Sequence, residues 1–102
     1  MASNFIYSLM PSAIKDLDNI YNYIKTVLKN FDAAKNLELK FQQVFDTACV
    51  FPYALPIYEH EENFRKISAG NFTAFVRINE TKKELEVFRV LYSFMDIPKK
   101  LK

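Results

Sequence analysis

The spacing of hydrophobic residues changes once along this 102-residue chain, and that change constrains the fold more than any other feature. Between residues 13 and 48 apolar side chains recur every three or four positions, which is the period of an amphipathic helix. Between residues 63 and 92 apolar or aromatic residues occupy most alternate positions, which is the period of a β-strand. The pattern therefore predicts an α+β fold in which two helices precede most of the strands.

The helical part divides into two segments. The first helix is predicted to begin at Pro11, because proline suits the first position of a helix, and its apolar stripe continues to Leu28. The sequence KNFD interrupts the stripe, and Asp32 is the expected cap of a second helix that ends before Pro52. So short a link predicts an antiparallel helical hairpin.

Strands are predicted on both sides of the hairpin, at residues 4–10, 64–69, 72–79 and 84–92. The sequence AGN at 69–71 contains the single glycine and predicts a tight turn, and NETKK at 79–83 predicts a hairpin loop. Short loops between neighbouring strands require antiparallel pairing. We therefore expect a single domain over residues 1–102, in which an N-terminal strand, the helical hairpin and a three-stranded antiparallel meander follow one another. The helices should cover one face of an antiparallel sheet and leave the other face free.

Composition limits the possible functions. The net charge of +2 is too small to indicate nucleic-acid binding by overall charge. Cys49 is the single cysteine, so no internal disulfide is possible. No segment approaches the roughly 18 apolar residues that span a bilayer, and the apolar run at 5–10 is too short for a signal peptide. We expect a cytoplasmic protein that does not bind membranes.

Three arginines, at positions 65, 77 and 89, lie in three separate apolar runs. Alternate side chains of a strand face opposite sides of the sheet. The wholly apolar set at positions 72, 74, 76 and 78 should face the helices, which puts Arg77 on the free face. In the last strand Phe88 and Val90 are the expected helix-facing pair, so Arg89 should also lie on the free face.

Two roles are open for these arginines. A guanidinium binds phosphate or carboxylate through two parallel hydrogen bonds, so Arg77 and Arg89 could form an anion-binding surface. Alternatively each arginine lays its aliphatic stem over apolar neighbours and pairs with Glu84 or Glu86, and the residue pattern alone favours this use. The alternation does not decide which side chain of the Arg65–Lys66 pair faces outward.

The ordered segments resemble the RelE/ParE superfamily of bacterial type II toxin–antitoxin toxins. LMPSAIKDLDNIYNYI is similar to the family's first strand and first helix, and FDAAKNLELKFQQVFDTACVFP is similar to its second helix. FRKISAGNFTAFVRINETKKELEVFRVLYSFMDIPKKL is similar to its three strands and tail. The resemblance covers nearly the whole chain. It implies a growth-arresting toxin that a cognate antitoxin neutralises.

The resemblance leaves the mechanism open. RelE-like members are ribosome-dependent mRNA endonucleases, in which the 2′-hydroxyl attacks the adjacent phosphate with help from an acid–base group and arginines. ParE-like members instead bind DNA gyrase and inhibit it. The middle-strand position that carries an arginine in the nucleases is Thr73 here, and the ending VFRVLYSFMDIP is closer to ParE-like members. The resemblance therefore favours gyrase as the target over ribosome-bound mRNA, and a degenerate toxin that only binds its antitoxin is the third possibility.

Candidate site residues follow from both mechanisms. In a nuclease, Tyr92 would be the acid–base group and Arg89 would stabilise the developing charge. The candidates for binding either target are Arg65, Lys66, Arg77, Arg89, Lys99 and Lys100. We expect no metal and no cofactor, because Cys49 and the single histidine, His60, lie in unrelated segments.

Overall fold

A strand, two helices and three further strands follow one another in the computed structural model, which describes residues 4–94. The elements are β1 (Ile6–Leu9), α1 (Pro11–Thr26), α2 (Phe31–Val50), a 3₁₀ turn (Pro52–Ala54), β2 (Arg65–Ala69), β3 (Phe72–Asn79) and β4 (Glu84–Tyr92). The predicted α+β class and element order are confirmed, and the first strand is shorter than expected. Neither described helix is long and apolar enough to cross a membrane.

The four strands form one sheet in the order β1-β4-β3-β2. Strands β2, β3 and β4 pair antiparallel, as the short loops between them predicted. The expectation of a wholly antiparallel sheet was wrong, because β1 pairs with β4 in parallel, with Ile6 opposite Glu84 and Leu9 opposite Val87. A parallel neighbour requires a long connection, and the helical hairpin together with β2 and β3 supplies it.

Local sequence explains most of the element boundaries. Gly70 has φ +60°, the left-handed conformation that glycine adopts without strain, at the turn between β2 and β3. The cap of α2 is Asn30 and not Asp32: the Asn30 side chain accepts a hydrogen bond from the backbone N–H of Ala33 at 3.0 Å. Asp32 instead lies in the first turn of α2, where its negative charge complements the helix dipole.

The helices cover one face of the sheet, which we call the helix side. Its core places side chains from both helices against those of the sheet. The buried members are Ala13, Leu17, Phe41, Phe45, Ala48, Cys49, Ile67, Ala69, Ala74, Val76, Leu85, Val87 and Val90. Phe45 is central, since its ring contacts those of Tyr7 and Phe41 with centroids 5.3 and 6.0 Å away.

The other face of the sheet, which we call the loop side, is not free as we expected. The segment 55–64 runs back over it and places Tyr58 on Phe75 and Leu91, all three buried, with Phe64 beside them. Backbone hydrogen bonds fix the segment along β2: the Tyr58 N–H donates to the Phe64 carbonyl at 2.8 Å, and the Lys66 N–H donates to the Pro56 carbonyl at 2.9 Å. The loop therefore builds a second, smaller core.

Candidate functional site

A β-bulge in β4 sets the directions of the side chains around the candidate site. Phe75 of β3 lies opposite Arg89, whereas the next residue, Val76, lies opposite Val87, so β4 contains one extra residue at this point. The alternation of β4 is interrupted there. The prediction that Phe88 faces the helices was wrong: its ring packs on the loop side against Phe64, with centroids 5.5 Å apart.

The bulge also redirects Arg89, which the alternation had placed on the free face. Its Nε donates to Asp16 Oδ2 at 2.7 Å and its Nη2 donates to Asp16 Oδ1 at 3.0 Å, so the guanidinium is bound to α1. The predicted free-face position of Arg89 was therefore wrong. The hydrogen bonds to Asp16 raise the pKa of Arg89 against the lowering effect of burial, and the side chain stays charged.

Asp16 occupies a gap at the sheet edge. Strand β1 ends at Leu9, opposite Val87, so the remaining part of β4 has no strand on that side. Asp16 Oδ2 accepts a hydrogen bond from the backbone N–H of Val90 at 2.9 Å and thereby satisfies a donor on this edge. One carboxylate, with its side chain 13% exposed, thus binds both the guanidinium of Arg89 and the backbone of β4.

Both nuclease candidates, Arg89 and Tyr92, line one hollow of about 220 Å³ next to this ion pair. Its remaining lining residues are Asp16, Asn19, Ile20, Phe72, Val90 and Leu91. The Tyr92 ring contacts Phe72 and Phe94, and its hydroxyl makes no hydrogen bond within residues 4–94. The hollow therefore has an arginine that is already neutralised by a carboxylate.

The position that carries an arginine in the nucleases contributes no positive charge. Thr73 is buried, and its Oγ1 lies 2.8 Å from Ser93 Oγ in a hydrogen bond. The residues that the structure describes also contain no cluster of three histidine, cysteine or carboxylate side chains that could hold a metal ion. Cys49 is buried among apolar residues, and this burial raises the pKa of its thiol.

Arg65 and Lys66 lie on opposite faces of β2. Arg65 shares the helix side with Ile67, and its Nη1 donates to the carbonyls of Tyr53 and Leu55 at 3.1 and 2.9 Å. Lys66 lies on the loop side, where its Nζ is 3.0 Å from Glu59 Oε2. Each cation therefore fixes the segment that leads from α2 to β2.

Arg77 lies on the loop side, as predicted, and its side chain is 51% exposed. Its guanidinium lies 4.7 Å from the centre of the Phe88 ring. Lys99 and Lys100 lie outside the described residues. Among the predicted target-binding residues within 4–94, Arg65 and Arg89 are thus turned away from the face that carries Lys66 and Arg77, and no shared arginine surface forms.

An apolar groove next to the hollow was missed by the sequence reasoning. Its volume is about 640 Å³, and it shares four of its lining residues with the hollow. The lining residues are Asn19, Ile20, Tyr23, Ile24, Leu28, Phe72 and Tyr92. The signal was present, because the apolar stripe of α1 continues to Leu28 although the helix itself ends at Thr26.

Comparisons with known proteins identify the family of this chain. The family model described as "ParE toxin of type II toxin-antitoxin system, parDE" matches residues 7–97 of the sequence. The chromosomal ParDE toxin–antitoxin system from P. aeruginosa contains a similar fold, with a TM-score of 0.66, 20% sequence identity, and coverage of 86% of this chain and 95% of that chain. The toxin–antitoxin complex RelBE2 from Mycobacterium tuberculosis gives a TM-score of 0.54, 14% identity, and coverage of 86% and 96%.

At these identities the two solved structures show the shared fold alone. A search of curated proteins gave no match. The family match spans most of the chain and includes both helices, all of the sheet except Ile6, and the Asp16–Arg89 pair. It also agrees with the resemblance to the RelE/ParE superfamily that the sequence motifs indicated. The chain belongs to the ParE toxin family of type II toxin–antitoxin systems.

Proposed function

We propose that this toxin arrests bacterial growth in the cytoplasm by inhibiting DNA gyrase, without cutting RNA, and that a cognate antitoxin neutralises it. The observation that carries the proposal is the ion pair between Asp16 and Arg89. An RNA-cleaving site needs cationic groups that are available to the phosphate as its charge grows. In this hollow the arginine is bound by a carboxylate through two hydrogen bonds.

Releasing Arg89 to a phosphate would be costly. The exchange would leave the Asp16 carboxylate in a largely buried place, with the Val90 N–H but without the guanidinium that neutralises it. Because the pair is partly exposed, removing one of its partners is expected to cost about 2 kcal/mol. Thr73 offers no second cation. These features favour a toxin that binds a protein target over one that cleaves a phosphodiester.

The apolar groove supports an antitoxin partner. Tyr23 and Leu28 on its rim are more than half exposed, and such a concentration of exposed apolar surface is typical of an interaction site. An amphipathic helix that lays its apolar side into a groove is a common mode of recognition. We therefore propose that a helical segment of the antitoxin occupies this groove and excludes water from Ile20 and Ile24.

Purified components test the proposal directly. We expect the toxin to inhibit supercoiling by DNA gyrase, the antitoxin to restore it, and ribosome-bound mRNA to stay intact. A Leu28→Lys variant should inhibit gyrase like the wild type but resist the antitoxin, because Leu28 lies in the groove, where an ammonium is poorly solvated. Lys15→Met, which changes an exposed charge on α1, is the matched control and should respond to the antitoxin normally.

Each other outcome contradicts a part of the proposal. Undiminished supercoiling would rule out gyrase as the target. Cleaved mRNA would instead favour the nuclease, for which Arg89 and Tyr92 are the residues that share the hollow. Continued growth after induction of the wild type would identify a degenerate toxin that only binds its antitoxin.

A further inference from the structure

We infer that Arg77 and Phe88 are the contact through which the toxin binds a single carboxylate, flanked by apolar side chains, on its protein target. This inference rests on the proposed function, because it assumes that the target is a protein. Five residues of the loop side form what we call the Arg77 platform: Arg77, Phe88, Phe64, Glu86 and Asn79. Unlike Arg89, Arg77 is half exposed, and its surroundings hold it in a defined orientation.

The first element of the platform is a stack of rings beneath the guanidinium. Arg77 lies 4.7 Å from the centre of the Phe88 ring. The Phe64 ring meets Phe88 edge to face, with centroids 5.5 Å apart and planes at 83°, so Phe88 is held in place from the side. A guanidinium above an aromatic face is attracted by the ring and keeps its N–H groups in a plane that can bind a carboxylate.

The second element is a carboxylate that orients the arginine. Arg77 Nε is 3.5 Å from Glu86 Oε1, and Glu86 Oε2 accepts a hydrogen bond from Asn79 Nδ2 at 3.2 Å. The Glu86 side chain is 11% exposed and so has little freedom to move. The Nε of Arg77 is thus directed inward, and its terminal nitrogens donate no hydrogen bond within the described residues. Fixing a side chain before association reduces the entropy lost on binding.

The charges around the platform indicate a protein and not a nucleic acid. Glu84 lies on the same face as Glu86, two residues away along β4, and each is directly opposite a residue of β1. A nucleic acid would bring a row of phosphates past both carboxylates, which would repel it. A single aspartate or glutamate on a protein surface needs only the fork of Arg77.

An exposed apolar side chain lies on the same face of the sheet, beside Glu84. Ile6 of β1 is directly opposite Glu84 in the sheet and is 64% exposed. The covering segment 55–64 packs on Phe75 and Leu91 and leaves the β1 side of the face accessible. Arginine and aromatic anchors beside apolar area are typical of residues that dominate interface energies. The matching partner therefore presents a carboxylate flanked by apolar side chains.

Two substitutions separate the binding role from a structural one. Arg77→Met keeps the aliphatic stem over Phe88 but removes the charge, and we expect it to need about tenfold more protein for half-inhibition of gyrase and for growth arrest. Arg77→Lys keeps the charge but loses the planar fork, so it should show a smaller loss. Lys15→Met removes one exposed positive charge from the helix side and should match the wild type. Thermal unfolding and antitoxin binding, which the inference expects to be unchanged in Arg77→Met, confirm that the variants fold.

The results distinguish a failure of the inference from a failure of the proposed function. Full gyrase inhibition by Arg77→Met would overturn the inference and leave the proposed function standing. A wild type that leaves gyrase active would overturn the proposed target, and the growth assay would then decide on Arg77 alone, since undiminished arrest by Arg77→Met contradicts the inference. A wild type that does neither overturns both.

Discussion

The two faces of the sheet differ in how they are covered and therefore in what they can do. On the helix side α1 and α2 bury a large core around Phe41 and Phe45, and both rings are almost completely inaccessible. On the loop side a short segment without regular helix or strand buries Tyr58 against Phe75 and Leu91 and leaves part of the sheet exposed. The first face holds the fold together and offers a partner the apolar groove along α1, whereas on the second face part of the sheet itself stays accessible.

Arg89 and Arg77 show the same contrast in single residues. Arg89 is bound by Asp16 and is about a quarter exposed, whereas Arg77 rests on Phe88 with half of its side chain accessible. They lie in neighbouring strands, and the alternation of apolar residues predicted that both would lie on the free face of the sheet. The hydrogen bonds that the guanidinium makes inside the protein, and not the direction expected from alternation, separate a structural arginine from one that can bind a target.

The largest effect should come from the helix side. Phe45→Ala removes a buried ring that contacts Tyr7 and Phe41, and we expect it to lower the free energy of unfolding by about 3–5 kcal/mol. Urea unfolding followed by circular dichroism measures this value. A loss below about 1 kcal/mol would show that the helices do not depend on this core, and the contrast between the two faces would fail.

Local sequence patterns predicted the elements that depend on local interactions. The helical hairpin and the meander follow from the periods of the hydrophobic residues, and the β2–β3 turn follows from Gly70. The bulge at Phe88 could not be predicted, because one extra residue in a strand leaves the alternation intact on either side of it. The packing of Tyr58 was also missed, since a segment with two prolines and several acids reads as exposed.

The candidate site shows the same limit. Arg77 was placed correctly because the wholly apolar set on β3 fixed the direction of that strand. Arg89 was misplaced because its partner, Asp16, is 73 residues away along the chain and follows from how α1 crosses the end of β1. Asp16 itself looked like an ordinary residue on the polar side of a helix. Contacts of this kind depend on the tertiary arrangement and leave no periodic signal.

A smaller loss of stability is expected from the core of the loop side. Leu91→Ala should lower the free energy of unfolding by about 2–3 kcal/mol, at the low end for a buried leucine, because the covering loop can settle into the space. Hydrogen exchange should show faster opening of the backbone at Tyr58 and Lys66 than in the wild type, with α2 unaffected. Equal acceleration in α2 would indicate that the two cores unfold together, which would remove the difference between them.

The ion pair of Arg89 should contribute less than either core. Asp16→Ala removes the two hydrogen bonds to the guanidinium and the one to the Val90 N–H, and we expect a loss of about 2 kcal/mol, because the pair is partly exposed. Glu59→Ala breaks the exposed pair with Lys66 and should change stability by less than about 1 kcal/mol. Urea midpoints of the two variants, measured side by side, test the contrast, and equal losses would contradict a special role for Asp16.

The smallest effect concerns the behaviour of the helix side at alkaline pH. Burial, together with the negative charge of Glu38, raises the pKa of Tyr21 from 10.0 to about 12. The unfolded chain therefore releases this proton at a lower pH than the folded chain does, and the free energy of unfolding falls as the pH rises from 10 towards 12. Well below pH 10 the hydroxyl is protonated in both states, and Tyr21 makes no contribution to the pH dependence.

The variant Tyr21→Phe should remove this part of the alkaline loss while leaving the contribution of the lysines. Between pH 9 and pH 11 the urea midpoint should therefore fall less in Tyr21→Phe than in the wild type. Tyr23→Phe is the matched control, because Tyr23 lies about half a turn away on α1 and is 55% exposed. Its urea midpoint should fall as much as that of the wild type. If the urea midpoint of Tyr21→Phe falls as much as that of the control, the Tyr21 hydroxyl is solvated in the folded protein. The helix side would then be more open around α1 than its contrast with the loop side assumes.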